Sequence, residues 1–155
     1  MKNTKFLIVS LLVLALAACA TDKHALIHNP QKIVDAVSAK YPDSKNTLVF
    51  IEAPEGFVAP NLANCAVEEG IDNADVVAIN SALALKTTTV VVAGDDESLT
   101  ATTLAQALKT GKEKINGSKI VVVGAKGLQD KATQKTLADL AAASGVALEF
   151  IDNPS

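Results

Sequence analysis

From residue 30 onward, apolar residues arrive in two alternating rhythms. Ile33, Val34, Val37 and Tyr41 recur at three- and four-residue intervals, which puts them on one side of an α-helix. Asn29-Pro30 is a start signal for that helix, with a capping amide followed by a residue whose φ is already helical; Pro42-Asp43 stops it. Thr47 to Ile51 is then a short, unbroken apolar run rich in strand-favouring side chains. Glu52 to Gly56 reads as a turn, and Pro60 to Val67 as a short helix closed by Gly70. Helical spacing returns with Val76, Ile79 and Leu83, in a helix capped by Asp72 or Asn73 and running through Leu85.

The second half repeats the scheme. Thr88 to Ala93 predicts a strand, and Asp95 to Ser98 leads into a helix through Leu108 that Gly111 ends. Lys119 to Val123 is another strand, and Gly124 to Gly127 a tight turn. A helix from Asp130 to Ser144 follows, with Gly145 just past its end, and Val146 to Ile151 is the last strand. The strands are continuous apolar runs rather than alternations, the mark of strands covered on both faces. Strand–helix alternation with connections long enough for crossovers implies a parallel sheet. The prediction is a small three-layer α/β sandwich, one domain over residues 30–155, with a mostly parallel sheet of about four strands. The pattern leaves the direction of an edge strand open.

The first twenty residues, MKNTKFLIVSLLVLALAACA, follow neither rhythm. Lys2 and Lys5 precede an apolar run from Phe6 to Leu16, interrupted only by Ser10. A bilayer-spanning helix needs about 20 apolar residues, so this run is too short to be one. A charged start, a short apolar middle and small residues at the end form a secretory signal. Leu16-Ala17-Ala18-Cys19 resembles the lipobox of bacterial lipoproteins. That resemblance implies a diacylglyceryl group on the Cys19 sulfur, cleavage before Cys19 and acylation of the new amine. Residues 1–18 are then a signal peptide and residues 19–29 a lipidated tether. Two or three acyl chains anchor stably where one does not. In enterobacterial lipoproteins, Asp directly after the cysteine resembles an inner-membrane retention signal. Ala20 stands there, which implies the outer membrane, periplasmic face.

Composition narrows the partners. Without residues 1–18 the chain has 137 residues, enough for one sizeable core, with twelve lysines against seventeen acidic residues, a net of −5. It contains no Arg, the usual bidentate reader of phosphate and base edges, and only 3% aromatics. Nucleic acid is therefore not an expected partner. The expected partners are the membrane, through the lipid, and an envelope protein. With Cys19 consumed by lipid, Cys65 stands alone; it is read as a buried thiol or, if exposed, as the link of a homodimer. His24 and His28 fall in the tether with Pro30 just beyond, and read as solvated linker residues rather than metal ligands.

Candidate chemistry is sparse. No histidine lies within the domain to serve Cys65 or a serine as base, so no catalytic residues are assigned. Gly124-Ala125-Lys126-Gly127 matches neither phosphate-binding glycine pattern. No cofactor and no cysteine-based metal site are expected. Ligands of parallel sheets bind outside the carboxyl ends of the strands, where Glu52, Asp95, Asp96 and Asp152 would gather. Such carboxylates suit a hard cation or a cationic ligand, although acidic residues ahead of a helix are equally explained as caps. The expected function is that of a membrane-anchored, non-catalytic binding or assembly module. The alternative is a small-ligand or cation-binding protein, or a hydrolase, using those acidic loops.

Overall fold

The computed structural model describes residues 30–53, 67, 73–111, 114–124, 128 and 130–152. Among the described residues, four helices and four strands alternate: α1 (Pro30–Lys40), β1 (Asn46–Ile51), α2 (Ala74–Ala84), β2 (Thr89–Gly94), α3 (Glu97–Gly111), β3 (Lys119–Gly124), α4 (Lys131–Ala143) and β4 (Ala147–Asp152). The strands form one sheet in the order β1-β2-β3-β4, every neighbouring pair parallel. The edge-strand question is thereby answered: both edges run with the sheet. Asn29, the segment from residue 60 to 66 and the turn at 125–127 lie outside the described residues; Val67 is helical and buried.

Local signals account for most boundaries. The Asn73 side chain accepts from the backbone N–H of Asp75 (2.7 Å) and Val76 (3.3 Å) and so starts α2. The Asp130 carboxylate accepts from Thr133 N at 2.9 Å and starts α4. Gly145, at φ +67°, takes the left-handed conformation that closes that helix. Helix α3 differs from expectation: it continues through Gly111 instead of stopping at Leu108. Gly111 is buried in the last turn and packs close to Asn80 and Ile115, where a β-carbon would sit 2.8 Å from the Ile115 Cδ1.

A strand order that never reverses puts every crossover on one side of the sheet, because each parallel connection is right-handed. The core bears this out. Val49, Ile51, Val90, Val92, Ile120 and Val122 point into the layer formed by α2, α3 and α4. Val91, Ala93, Val121 and Val123 point the other way, against Ile33 and Val37 of α1. Among the described elements the three layers are therefore unequal, with α2, α3 and α4 on one face and α1 on the other. Two buried serines tie the crowded layer together. Ser118, leading into β3, donates to the Leu83 carbonyl at the end of α2 (2.7 Å), and Ser144 donates to the Leu108 carbonyl in α3 (2.9 Å). Each occupies a carbonyl near a helix end, where in-helix partners run short.

Candidate functional site

All four expected carboxylates sit at the carboxyl end of the sheet. Glu52 is exposed just past β1. Asp95 and Asp96 are half-buried between β2 and α3, and Asp152 is the last, exposed residue of β4 rather than a loop residue. The strand order decides which can meet. β1 and β4 are separated by three strand spacings of about 4.8 Å, so Glu52 and Asp152 stand roughly 14 Å apart across the sheet. Asp95 and Asp96 lie next to the Glu52 side. Among the described residues no three acidic, histidine or cysteine side chains gather closely enough to hold a metal ion.

Asp96 is engaged in capping. Its carboxylate accepts from Leu99 N at 2.7 Å, and its carbonyl accepts from Thr100 N (2.9 Å) and from the Thr100 hydroxyl (2.7 Å). Gly94 makes this corner tight. A β-carbon there would stand 2.6 Å from the Ile51 carbonyl oxygen and collide with Thr100, so only glycine lets β1, β2 and the start of α3 come together. Glu97, the first residue of α3, accepts from Leu128 N at 3.2 Å through one carboxylate oxygen, while the other is enclosed without a hydrogen-bond partner.

Asp75, in the first turn of α2, joins this pole although its sequence carries no binding pattern. Burial pushes its carboxyl above the ordinary value of 3.8, and the nearby Glu52 charge adds to the shift. Only the fold brings Asp75 to Glu52, across 23 positions of chain. A helix-start aspartate after Asn73 is legible locally, but its acidic neighbour is not.

Two grooves among the described residues lie elsewhere. One, of about 810 Å³, runs beside Leu108, Lys109, Asn116, Leu140 and Gly145 at the amino-end side of the sheet. A second, of about 340 Å³, follows the seam of α3 and α4 past Ala101, Ala105, Thr133 and Leu137. Neither touches Glu52, Asp95, Asp96 or Asp152. Sheets whose order reverses open a crevice at the switch point; this order, with its crossovers all on one face, has no such point.

The remaining titratable cluster joins α1 to the far edge. Lys40 Nζ lies 2.6 Å from Glu149 Oε1, and Lys119 Nζ is 3.7 Å from the other oxygen while sitting 3.9 Å from the centre of the Tyr41 ring. The Lys40 hydrogen bond lowers the Glu149 carboxyl below its ordinary value and raises Lys40, while burial raises the Tyr41 phenol. This group clamps the end of α1 across β3 onto β4. Cys19 and Cys65 lie outside the described residues.

Comparison of the chain with protein-family models, with curated proteins and with solved structures finds no match.

Proposed function

We propose that the protein is a lipoprotein anchored at the periplasmic face of the outer membrane through Cys19, where its α/β domain acts as a non-catalytic binding or assembly module. The observation that carries this reading is Leu16-Ala17-Ala18-Cys19 directly after an apolar run too short to span a bilayer. The tether of residues 19–29 reaches at most roughly 40 Å when extended, so the domain works close to its membrane. The engaged state of Asp96 supports the non-catalytic part, since a carboxylate satisfying a helix end is already employed.

The experiment is metabolic labelling with radioactive palmitate followed by membrane fractionation. The wild-type chain should take up label, lose residues 1–18 and sediment with outer membranes. Cys19→Ser should lose both label and cleavage. A Cys19→Ser protein that is still labelled and cut overturns the anchor. For the module itself, the melting temperature should be indifferent to calcium and to chelator. A large calcium-dependent rise that Asp96→Asn abolishes would instead favour the acidic loops as a cation site.

A further inference from the structure

The net charge of −5 after residue 18 conceals a separation that the sheet creates. Four parallel strands give the domain two unlike poles. Glu52, Asp75, Asp95, Asp96, Glu97 and Asp152 stand at the carboxyl end. Lys45 ahead of β1, Lys86 ahead of β2, Lys109 in the last turn of α3 and Lys114 ahead of β3 stand at the amino end. All four lysines are exposed, and among the described residues none makes an ion pair. Asp43 is the exposed carboxylate that the described turns set against them; Lys112 and Glu113 lie outside the described residues and carry opposite charges. A six-residue strand spans about 20 Å, more than two Debye lengths of about 8 Å at physiological salt. The acidic pole is therefore screened from whatever meets the lysines.

Helix ends explain only part of this lysine pole. A cation near a helix C-terminus complements the macrodipole, and Lys109 fits that role. Helices α2 and α4 have no basic residue in their last turns, and Lys45 and Lys114 precede strands. Lys86 stands against its own backbone preference. It follows the C-cap Leu85 at φ +55°, the left-handed position that helix ends usually give to glycine. A lysine held where glycine sits without strain marks the ammonium itself as the useful part.

Side-chain chemistry and the tether together define the occupant. Protein interfaces are built on Tyr, Trp and Arg anchors and are depleted in Lys. This pole presents lysines in a chain without Arg, spread as point charges over strand starts and helix ends. Such a surface suits an extended polyanion met at many points. Helix α1 fixes the side on which that polyanion lies. The Ser38 hydroxyl accepts from Asn46 Nδ2 at the start of β1 (3.3 Å), and Lys119 Nζ at the start of β3 is 3.9 Å from the centre of the Tyr41 ring. The helix thus ends at the amino end, and Pro30, about 15 Å back along its axis, begins at the carboxyl end. The chain from Cys19 enters at the acidic pole, and the lysines face away from the anchor. We propose that the amino pole binds a carboxylate-bearing polymer on that far side, the peptide-crosslinked glycan of the cell wall. The inference rests on the reading of Cys19 as a periplasmic-face anchor.

Co-sedimentation with purified Gram-negative sacculi tests it, using the protein purified from cells in mild detergent. The readout needs no membrane, so it can fail while palmitate labelling of Cys19 succeeds, and the reverse. Wild type should sediment with sacculi at low salt, weaken at least about tenfold between about 50 and about 300 mM salt, and ignore sacculi whose carboxylates have been amidated. Lys45→Glu with Lys114→Glu changes only exposed positions and should raise the apparent Kd at least about tenfold. Lys131→Glu, a reversal at the start of α4 on the other pole, should leave it unchanged. Lys86→Gly should weaken binding about threefold yet melt no lower than wild type, because it removes the charge and relieves the backbone together. Absent binding at low salt, binding that survives the double reversal or the amidation, or an equal loss with Lys131→Glu overturns the inference. So does a Lys86→Gly chain that binds like wild type. A chain that ignores sacculi but binds phosphatidylglycerol vesicles through the same lysines sets the pole against the membrane instead and overturns it as well.

Discussion

Val122 and Val91 sit at the centre of neighbouring strands, 0% and 1% exposed, but face opposite layers. Replacing either with Ala removes two methyl-sized groups. The transfer loss is the same for both, about 1.6 kcal/mol at ~0.8 kcal/mol per group. The cavity left behind is not the same. Around Val122 the layer is shut by three helices tied to one another by Ser118 and Ser144, so a hole of about 50 Å³ persists and adds roughly 1.2 kcal/mol at ~24 cal/mol per Å³. Over Val91 lies the single helix α1, which has no flanking helix on its face among the described residues and settles into part of the space. The expected costs are about 3 kcal/mol for Val122→Ala and about 2 kcal/mol for Val91→Ala. Equilibrium urea unfolding of the chain from Ala20 onward measures both, with m-values compared to confirm that only stability changes. Equal losses, or a larger loss at Val91, would refute the argument that the two layers differ in their freedom to collapse.

Asp75→Asn should raise the melting temperature at pH 7. The folded-state carboxyl titrates above its ordinary 3.8, so its charged form is penalised in the fold, and the gain should fade as pH falls through that raised value to below 3.8. Asp130 and Glu149 act with the opposite sign. Backbone donation from Thr133 and the Lys40 contact hold their folded values low, so the stability they contribute is present above the ordinary carboxylate range and is lost on acidification through the lowered values, as an acid titration of Asp130→Asn against wild type will show. Asp96→Ala should cost about 1 kcal/mol in urea unfolding, and Asp96→Asn only a few tenths, because the amide oxygen still accepts from Leu99 N. Gly94→Ala should be worse than Gly145→Ala: its β-carbon meets the Ile51 carbonyl, part of the sheet, with a loss of about 3 kcal/mol or more. At Gly145 the cost is the left-handed backbone, roughly 1 kcal/mol, since the Asn116 side chain it meets is exposed and can turn away.

Periodicity, punctuation and caps act within a few residues, so the chain alone determined the eight described elements of the domain. Val90-Val91-Val92 and Ile120-Val121-Val122-Val123 have to be strands buried on both faces, and Asn73, Asp130 and Gly145 start or stop helices through atoms no more than three residues away. The proposed anchor rests on an equally local pattern, the four consecutive residues Leu16-Ala17-Ala18-Cys19. What only the tertiary structure decided is whatever depends on strand order, because a run such as LVF reads alike at an edge or in the centre of a sheet. The order β1-β2-β3-β4 separated Glu52 from Asp152, brought Asp75 to Glu52 and collected three helices on one face. It also made β1 and β4 the edge strands, and put Glu149 of β4 within reach of Lys40 and Lys119. These are contacts between residues tens of positions apart, and their energies exist only once the whole sheet has closed.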